Sequence, residues 1–531
     1  MDTVLATNLI TRINVGDGLT RTAARLPDKL AVVDSERQWT YAELDQRVNR
    51  VANGLSARGY RRGDALALAS GNSCEFLVTY YACAKLGVVC VPMNLGWRAD
   101  EIAYVLEHSE SIGIVVEAQL VALVAAAVEK VPAVRDVVVA YGTDGQYEQA
   151  LPDRNWLTFA DLHDDDRSEP ERFVDDRDAV SYLYTSGTTS FPKGVVGSHT
   201  AIYLESLMVA AETGLNQDDR IAALMPLFHT AQLNGFGTPA VTMGATQYLM
   251  RGFDATALLD LIERERITRA FALPMMWRAL VDDPSVAQRD LSSLRKAAYA
   301  MAPMPDALLK ACLDTFRCDF YLAFGQTEMS PVTTVFRPEH QLSHPGAVGT
   351  QVVNVQVAIM DGDGKLLPRG EEGEIVYRGP QALNGYLKDP EATERAFAHG
   401  WFHSGDAGHL ADDGMLWFSD RYKDVIKSGG ENVASIEVEK ALYAADPDLA
   451  EVAVVGLPHP RWTEAITAVV VPKPGTQPDE RAILAAVQLA GFKKPKAVIT
   501  VDELPKTSTG KIQKNVVRSR FADYYDSEAT P

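Results

Sequence analysis

Apolar residues in the first part of the chain occur either at helical spacing or in short continuous runs, and the two patterns alternate along the sequence. Residues 40–43 have the form of a capping box, apolar residues at 44, 48, 51 and 55 follow at helical spacing, and Gly59 suits a C-terminal cap. Short apolar runs at 65–69, 88–92, 112–115 and 137–140 then read as buried strands, separated by helical stretches such as 75–86. Strands that alternate with helices predict a parallel α/β architecture.

The pattern changes twice further along the chain. A polar connector at 161–178 precedes a second α/β alternation from residue 179, and short β-rich pieces with Asp-Gly turns at 361–364 and 412–414 then favour a small β-barrel. The final segment carries its own helix at 436–444 and strands at 453–455 and 466–471. We therefore expect an α/β protein with a large N-terminal domain, 1–420, of two layered α/β subdomains plus the barrel, a hinge at 421–424, and a small mobile α+β domain, 425–531.

Composition narrows the function classes. A chain of 531 residues is long enough for several packed domains. Its net charge of -20 argues against a broad surface for nucleic acid or an anionic membrane. Five cysteines without a CxxC spacing indicate neither a disulfide framework nor a zinc knuckle. With no signal peptide and no apolar run long enough to span a bilayer, we expect a cytoplasmic protein, monomeric or homodimeric.

The strongest local signal is a loop rich in glycine and hydroxyl groups at 182–194, which ends in Lys193-Gly194. Backbone N–H groups, hydroxyl donors and one cation are suited to polyphosphate oxygens, whereas a merely solvated loop has no need of this combination. The loop is not a Walker A motif, because Lys193 leads into the strand-like residues Val195-Val196 rather than into a helix. A P-loop kinase is therefore disfavoured.

Six further motifs occur in a fixed order. They are Pro226-Leu227-Phe228-His229, Phe324-Gly325-Gln326-Thr327-Glu328, Trp401-Phe402-His403-Ser404-Gly405-Asp406, Arg421-Tyr422-Lys423-Asp424, Ser428-Gly429-Gly430-Glu431-Asn432 and Pro505-Lys506-Thr507-Ser508-Thr509-Gly510-Lys511. With these motifs, almost the whole chain closely resembles the superfamily of AMP-forming acyl-CoA synthetases, luciferases and peptide synthetase adenylation domains. The resemblance is to the branch of fatty-acid or aromatic-acid CoA ligases.

The resemblance implies a role for each motif in binding ATP. Glu328 matches a glutamate that holds Mg²⁺, which suits a hard oxygen ligand. Asp406 matches the carboxylate that accepts both ribose hydroxyls, and Arg421 adds a donor fork beside it. The expected ATP site comprises Thr185, Ser186, Gly187, Thr188, Thr189, Lys193, Ala302, Pro303, Phe324 for the adenine, Gly325, Gln326, Thr327 near the α-phosphate, Asp406, Arg421 and Lys511.

The implied reaction has two steps in one active site. Carboxylate attack on ATP gives an acyl-AMP, with Lys511 stabilising the charge that develops as pyrophosphate leaves, and coenzyme A then displaces AMP. Family members rotate the C-terminal domain between the steps, about a hinge that Lys423 and Asp424 match here. After the rotation, the loop Ser428-Gly429-Gly430-Glu431 would line the tunnel for coenzyme A.

The acid pocket departs from the family pattern. Relatives commonly carry Gly-Gly or Ser-Gly before Ala-Pro, whereas this chain has Ala300-Met301 before Ala302. If Met301 points into the pocket, a short, branched or aromatic acid is favoured over a long straight chain; a side chain packed in the core would carry no such meaning. His229, Gln232 and Asn234 lie on the segment that follows the pocket in the family, where Gly325 also contributes. His229 contacts either substrate or core.

Several alternatives remain open at this stage. The acyl group could be loaded onto a carrier protein, or the adenylated group could be another oxyanion such as nitrite, delivered to an aromatic amine. Amino acid activation and a luciferase-like oxygenase share the same ATP motifs. A catalytically inactive homologue is disfavoured by the joint presence of Lys193, Glu328, Asp406 and Lys511.

Overall fold

The computed structural model describes residues 2–35, 37–140, 156–185, 192–302, 304–422, 424–429, 431–506 and 512–525, without the side chains of Glu431 and Asn432. Contacts between Cα atoms divide the chain into two compact units, the first formed by 1–357 and 377–402 and the second by 358–376 and 403–531. Across these described ranges, no helix combines the length and the apolar character needed to cross a bilayer.

The first unit contains two sheets and most of the helices. Its helices are α1 Thr3–Thr11, α2 Val15–Arg25, α3 Tyr41–Ala57, α4 Cys74–Leu86, α5 Ala99–His108, α6 Val121–Val128, α7 His199–Thr213, α8 Thr230–Gln232, α9 Thr238–Met243, α10 Ala255–Glu265, α11 Pro274–Val281, α12 Asp306–Phe316 and α13 Pro390–Ala396. Its strands are β1 Leu30–Asp34, β2 Arg37–Thr40, β3 Ala65–Ala69, β4 Val89–Pro92, β5 Ser111–Glu117, β6 Asp136–Ala140, β7 Leu157–Thr158, β8 Ala179–Thr185, β9 Lys193–Ser198, β10 Arg220–Ala223, β11 Thr246–Leu249, β12 Arg269–Phe271, β13 Lys296–Tyr299, β14 Asp319–Gly325, β15 Val332–Phe336 and β16 Ala347–Gln351.

The predicted α/β alternation is confirmed. One sheet runs β7-β6-β5-β3-β4-β8-β9, and the four predicted apolar runs form its strands β3 to β6. These strands pair in parallel, and their alternate residues pack into separate clusters on the two faces of the sheet. Strands covered on both faces need continuous apolar runs, which explains why residues 65–69 are all buried.

The capping box predicted at 40–43 is present. The Glu43 amide donates to the Thr40 hydroxyl at 3.2 Å, and the Thr40 amide donates to the Glu43 carboxylate at 2.8 Å. Helix α3 then buries its apolar stripe and ends before Gly59, whose φ of +84° lies in the left-handed region. The local pattern of the sequence therefore fixes both ends of this helix.

The second sheet of this unit runs β16-β15-β14-β13-β12-β10-β11-β1-β2. Strands β10 to β14 pair in parallel, whereas β15 returns antiparallel to β14. Open α/β sheets bind ligands beyond the carboxyl ends of their strands. Here the carboxyl ends of β13 and β14 carry Met301 and Gly325, so the architecture brings two of the predicted site segments to one edge.

The second unit carries two smaller groups of strands. Strands β17 Gln356–Met360, β18 Gly373–Arg378, β19 Phe402–Leu410 and β20 Leu416–Arg421 follow one another in linear order. The β-rich region also contains helix α13, which the strand pattern did not predict. The remaining elements of this unit are β21 Ile426–Ser428, β22 Glu431–Val433, α14 Ser435–Ala445, β23 Leu449–His459, β24 Thr463–Pro472, α15 Glu480–Ala486, β25 Ala497–Thr500 and α16 Lys514–Arg520. The strands form a sheet in the order β22-β21-β24-β23, with β25 paired to β24. The helices pack against this sheet.

Candidate functional site

The glycine- and hydroxyl-rich loop connects two antiparallel strands. Thr185, the last residue of β8, lies opposite Lys193, the first residue of β9. The expected phosphate-binding residues Ser186, Gly187, Thr188 and Thr189 fall outside the described residues. The hairpin agrees with the prediction that this loop is not a Walker A motif, because the lysine begins a strand.

Lys193 has two contacts close to its ammonium group. Its Nζ lies 3.5 Å from an Asp389 carboxylate oxygen and 5.2 Å from the centre of the Tyr386 ring. Asp389 also caps helix α13, where its side chain accepts from the Ala392 amide at 2.9 Å. That amide, together with Lys193, holds the pKa of the Asp389 carboxyl below its ordinary value. Lys193 thus stands beside an anion before any phosphate is bound.

Tyr386 links Lys193 to Glu328. Its hydroxyl donates to Glu328 Oε1 at 3.1 Å, while its ring stands beside Lys193. Backbone hydrogen bonds tie the tyrosine segment to β9, because the Val196 amide donates to the Gly385 carbonyl at 3.0 Å and the Leu387 amide donates to that of Gly194 at 2.8 Å. Tyr386 therefore brings two predicted phosphate-side residues together. Sequence reasoning missed it, and the only local signal was the turn dipeptide Asn384-Gly385 before it.

A tight turn after β14 holds Glu328. The Gln326 amide donates to the Pro331 carbonyl at 2.9 Å, and a single 3₁₀ turn spans Thr327–Met329. A Cβ atom at Gly325 would lie 1.8 Å from that same Pro331 oxygen, so only glycine fits there. The Leu383 amide then donates to the Glu328 carbonyl at 2.8 Å. Both the backbone and the carboxylate of Glu328 are thus held in place.

The residues around Glu328 fit a magnesium ion that arrives with nucleotide. Glu328 Oε2 has no hydrogen-bond partner among the described residues, so one hard oxygen is available. Throughout the described part of the chain, no three His, Cys, Asp or Glu side chains group as metal ligands. Magnesium at ATP sites is characteristically held by one or two carboxylates plus phosphates, and a single glutamate meets that requirement.

The residues expected at the adenine lie at the ends of β13 and β14. Phe324 is half-buried, and its carbonyl accepts from the Thr333 hydroxyl at 3.2 Å. Met301 has φ of +69° and is 38 % exposed, so its side chain does not fill the core. A left-handed backbone is one that glycine adopts without strain, whereas a methionine there is uncommon. Ala302 is also exposed, and Pro303 lies outside the described residues.

The segment expected along the acid pocket has an unusual backbone. A π-helical turn over Leu233–Gly237 follows the short helix α8, and such turns frequently occur at functional sites. His229 caps α8, since its Nδ1 accepts from the Ala231 amide at 3.2 Å. An accepting Nδ1 places the proton of the neutral ring on Nε2. The cap therefore fixes the orientation of the His229 ring.

Polar atoms are buried along this segment. Gln232 and Asn234 are each 1 % exposed; neither amide atom of Gln232, nor Asn234 Oδ1, has a hydrogen-bond partner among the described residues. Buried amides without partners are costly, and native structures usually satisfy them with water or ligand. A narrow apolar cavity of only ≈ 10 Å³ lies at the same turn. It is lined by Met208, Val209, Thr213, Gly235, Phe236, Tyr321, Ala323, Val332 and Val335.

Asn72 fixes the approach to His229. Its Oδ1 accepts from the Leu227 amide at 2.8 Å, and its Nδ2 lies 2.9 Å from the Met225 carbonyl and 3.0 Å from that of Ala223. The 3 % exposed amide also lies 2.9 Å from the Met250 carbonyl, and by binding four backbone groups it holds the segment before His229 in place. Sequence reasoning did not find this residue, because its partners are distant along the chain.

In the second unit, two residues of the expected nucleotide site, Asp406 and Arg421, form an ion pair. They face each other across β19 and β20, and Arg421 Nε lies 2.8 Å from Asp406 Oδ1. Asp406 is 4 % exposed, whereas the Arg421 side chain is 34 % exposed. The Asp406 amide also donates to the Ser404 hydroxyl at 3.0 Å. The pairing preorganises a carboxylate beside a guanidinium.

The loop expected to bind coenzyme A lies at the turn between β21 and β22. The Gly429 amide donates to the Trp462 carbonyl at 2.9 Å, and a Cβ at Gly429 would meet the Trp462 ring at 3.2 Å. Ser428 is buried, and the backbone of Glu431 pairs with it. Asp424 pairs with Arg518 at 3.1 Å. Three other predicted residues, Lys423, Gly430 and Lys511, lie outside the described residues.

Comparisons with known proteins agree along the whole chain. The family described as AMP-binding enzyme matches residues 19–387, and its C-terminal domain matches 437–511. A feruloyl-CoA synthase of an Amycolatopsis species is 36 % identical over 96 % of this chain and 99 % of its own length. An indoleacetate–CoA ligase of Aromatoleum aromaticum is 34 % identical, over 96 % and 98 %.

Two further likenesses widen the range of acids among the relatives. The long-chain-fatty-acid–CoA ligase FadD13 of Mycobacterium tuberculosis is 33 % identical over 96 % of this chain and 99 % of its own. The solved structure of the anthranilate CoA ligase AuaEII with anthranoyl-AMP superposes with a TM-score of 0.88 at 28 % identity, over 97 % of this chain and 98 % of that one.

Proposed function

The chain belongs to the AMP-binding enzyme family and is an AMP-forming acid:CoA ligase, and from this premise we propose a substrate class and a role for each site residue. The observation that carries the proposal is the convergence of Lys193 and Glu328 on Tyr386. A cation and a metal-binding carboxylate held by one side chain are suited to the phosphates of ATP.

In the first step, a carboxylate oxygen of the acid bonds to the α-phosphorus of ATP as the bond to pyrophosphate breaks. Lys193 contributes positive charge near the phosphates, and it must exchange its contact with Asp389 for them. Glu328 Oε2 would hold Mg²⁺, which supplies charge neutralisation for the leaving pyrophosphate. Tyr386 acts as a positioning residue that orients Glu328 through Oε1.

Asp406 and Arg421 are proposed to bind the nucleotide sugar. A carboxylate with two oxygens can accept from both ribose hydroxyls, and the guanidinium 2.8 Å away holds its orientation. Phe324 would stack on the adenine, and Thr327 would donate to the α-phosphate. His229 would contact the carboxylate of the acid, with its ring oriented by the Ala231 amide.

We propose that the acid is a compact aromatic carboxylate. Buried, unsatisfied amide atoms on Gln232 and Asn234 favour an acid with a polar substituent, which could pair with them. Relatives named for ferulate and indoleacetate support the same class.

The second step transfers the acyl group to coenzyme A. The thiolate sulfur bonds to the acyl carbon, and the bond from that carbon to the AMP oxygen breaks. The Gly429 turn, with its bare backbone against Trp462, is proposed to let pantetheine approach. Lys511 is proposed to serve the first step and Lys423 the rotation between the steps, as the family resemblance implies.

A panel of acids tests the proposal. Pyrophosphate release is measured with Mg-ATP and ferulate, indoleacetate, benzoate, octanoate or palmitate, each with and without coenzyme A, and the product is identified by mass spectrometry. We expect ferulate and indoleacetate to give the highest kcat/KM, with the matching acyl-CoA as product. A clear preference for palmitate would overturn the substrate class but not the reaction.

Other outcomes would redirect the second step. Pyrophosphate release without a thioester would point to a carrier protein, or to an amine as the acceptor. Release that depends on nitrite rather than on an acid would identify a different adenylated oxyanion. Matched Lys193→Ala and Glu328→Ala variants should each slow the first step; if neither does, the assignment of the phosphate side is wrong.

A further inference from the structure

A buried glutamate lies beneath the turn that carries Glu328. Glu205, on helix α7, is 0 % exposed, and both of its carboxyl oxygens accept hydrogen bonds. The Val332 amide donates to Oε1 at 3.2 Å, and Gln381 Nε2 donates to Oε2 at 2.9 Å. Glu205 therefore binds Val332, at the end of the turn, and the side chain of Gln381, which binds other residues of the same turn.

Gln381 is the second member of this cluster, and it is also 0 % exposed. Its Nε2 lies 2.7 Å from both the Met329 carbonyl and the Val332 carbonyl. The Ser330 hydroxyl returns a hydrogen bond to the Gln381 carbonyl at 2.8 Å. Three of the four residues that follow Glu328 are thus bound by one glutamine, which Glu205 holds from below.

The cluster carries no balancing cation. Among the described residues, Glu205 forms no ion pair with a lysine or arginine, and burial raises the pKa of its carboxyl well above the ordinary value. Burying an ionised carboxylate without a partner cation is costly, which is the physical cause of this raised pKa. A fully buried carboxyl group whose hydrogen-bond partners are a backbone amide and a buried glutamine is suited to holding the backbone in place.

We propose that Glu205 and Gln381 are positioning residues for the adenylation step, which fix the turn so that Glu328 faces the magnesium and phosphates of ATP. The proposal rests on the role of Glu328 given above. Two hydrogen bonds connect the buried pair to the turn that carries Glu328. Gln381 donates to the Met329 carbonyl, and the Val332 amide donates to Glu205. A loose turn would leave Glu328 present but badly aimed.

A general loss of stability must be separated from this effect. Helix α7 offers a matched control two turns later, where Glu212 accepts from the Val353 amide at 2.9 Å and pairs with Arg337. The Glu212 side chain is 11 % exposed, so its removal also disturbs a mostly buried contact. The contacts of Glu212 are with Val353 and Arg337, not with the turn that carries Glu328. The Glu212→Ala variant therefore shows how much activity is lost when α7 is destabilised without a change in that turn.

The test compares Glu205→Ala, Gln381→Ala, Glu212→Ala and Glu328→Ala in the full-length protein. Acid-dependent pyrophosphate release is measured as a function of Mg-ATP and of free Mg²⁺. Thioester formation is measured separately from synthetic acyl-AMP and coenzyme A. We expect Glu205→Ala and Gln381→Ala to lower kcat/KM for Mg-ATP about tenfold or more, a loss typical of a broken positioning contact, and to leave thioester formation within about twofold, close to unperturbed.

A double variant gives the sharpest result. If Glu205 acts through Glu328, then Glu205→Ala should cause little further loss of kcat/KM in a Glu328→Ala background. The positioning role is refuted if the two losses multiply, or if Glu205→Ala changes kcat/KM no more than Glu212→Ala does. If Glu205→Ala fails to fold, Glu205→Gln serves instead: it keeps an acceptor for Val332 but sets an amide N–H₂ against Gln381.

The controls also keep this inference apart from the proposed function. A Glu328→Ala variant with normal Mg-ATP and Mg²⁺ dependence would overturn the role of Glu328 itself, and with it the basis of the inference. If Glu328→Ala lowers kcat/KM for Mg-ATP but Glu205→Ala does not, only the positioning role of Glu205 is overturned.

Discussion

The contact between Tyr386 and Glu328 gives the most direct test of the phosphate side of the site. Replacing Tyr386 by Phe removes the hydroxyl that donates to Glu328 Oε1 at 3.1 Å and keeps the ring that stands 5.2 Å from Lys193 Nζ. The change therefore separates the two contacts of one side chain. Only the orientation of Glu328 is lost.

The size of the effect follows from the kind of hydrogen bond that is removed. A hydrogen bond to a charged group contributes about 1.5–3 kcal/mol. Glu328 is only half-buried, so water can replace part of the bond and the lower end applies. Since about 1.4 kcal/mol corresponds to a tenfold change in rate, Tyr386→Phe should lower kcat/KM for Mg-ATP about tenfold.

A second substitution isolates the ring. Tyr386→Leu also removes the contact with Lys193, and an exposed cation–π contact contributes about 0.5–1 kcal/mol. A further loss of about two- to fivefold should follow. The assay is acid-dependent pyrophosphate release over a range of Mg-ATP concentrations, with Tyr203→Phe on α7 as a matched control that touches neither residue.

Three outcomes would refute this reasoning. A Tyr386→Phe variant with wild-type kcat/KM would show that the hydroxyl does not orient Glu328. Equal losses for Tyr386→Phe and Tyr203→Phe would show a nonspecific effect. A loss confined to thioester formation from synthetic acyl-AMP would place Tyr386 in the other half of the reaction.

Three more predictions concern the backbone and the core. On the prediction that the exposed Met301 side chain borders the acid pocket, Met301→Gly should raise the ratio of octanoate to ferulate kcat/KM about tenfold, and a Met301→Leu variant should leave the ratio near its starting value. Gly325→Ala should reduce acid-dependent pyrophosphate release at least about tenfold, since its Cβ would lie 1.8 Å from the Pro331 oxygen, whereas Gly362→Ala, with open space around it, should be neutral in the same assay. Burial lowers the pKa of His199 to about 4, so between about pH 6.5 and 4 the unfolded chain binds a proton that the folded chain does not. The free energy of unfolding should therefore fall over this pH range, by up to about 3 kcal/mol. Urea unfolding at several pH values measures it, and the free energy of unfolding of His199→Asn should depend less on pH.

The local elements were predictable wherever their signals lie close together in sequence. The capping box of Thr40 and Glu43 defines the start of α3, and the apolar run of β3 has the same bounds in sequence and structure. Helix α13 was missed although its signals are present, because Asp389 is a good N-cap and Pro390 suits the first turn. Asp-Gly turns lie on both sides of this helix, at 361–364 and 412–414, and they predict β-hairpins rather than a helix between them.

The candidate site was predictable only in part. Family motifs identify Lys193 and Glu328, but the residues that hold them come from elsewhere in the chain. Gln381 and Glu205 are 176 positions apart, and Tyr386 and Glu328 are 58 apart. No periodicity or turn signal connects such pairs, because the sheet topology alone brings them together.

The hairpin formed by β8 and β9 also says how this site can tolerate change. Lys193 is placed by its pairing with Thr185, and not by the residues that connect them. Insertions or deletions confined to the connection would therefore leave the lysine on the same face of the sheet. A shift of β9 by a single position would instead turn every side chain of the strand over, and Gly194 would take the place of the cation. For an engineer, the register of the strand fixes the position of the lysine, whereas the connection must keep the hydroxyl and glycine residues that are expected to bind phosphate.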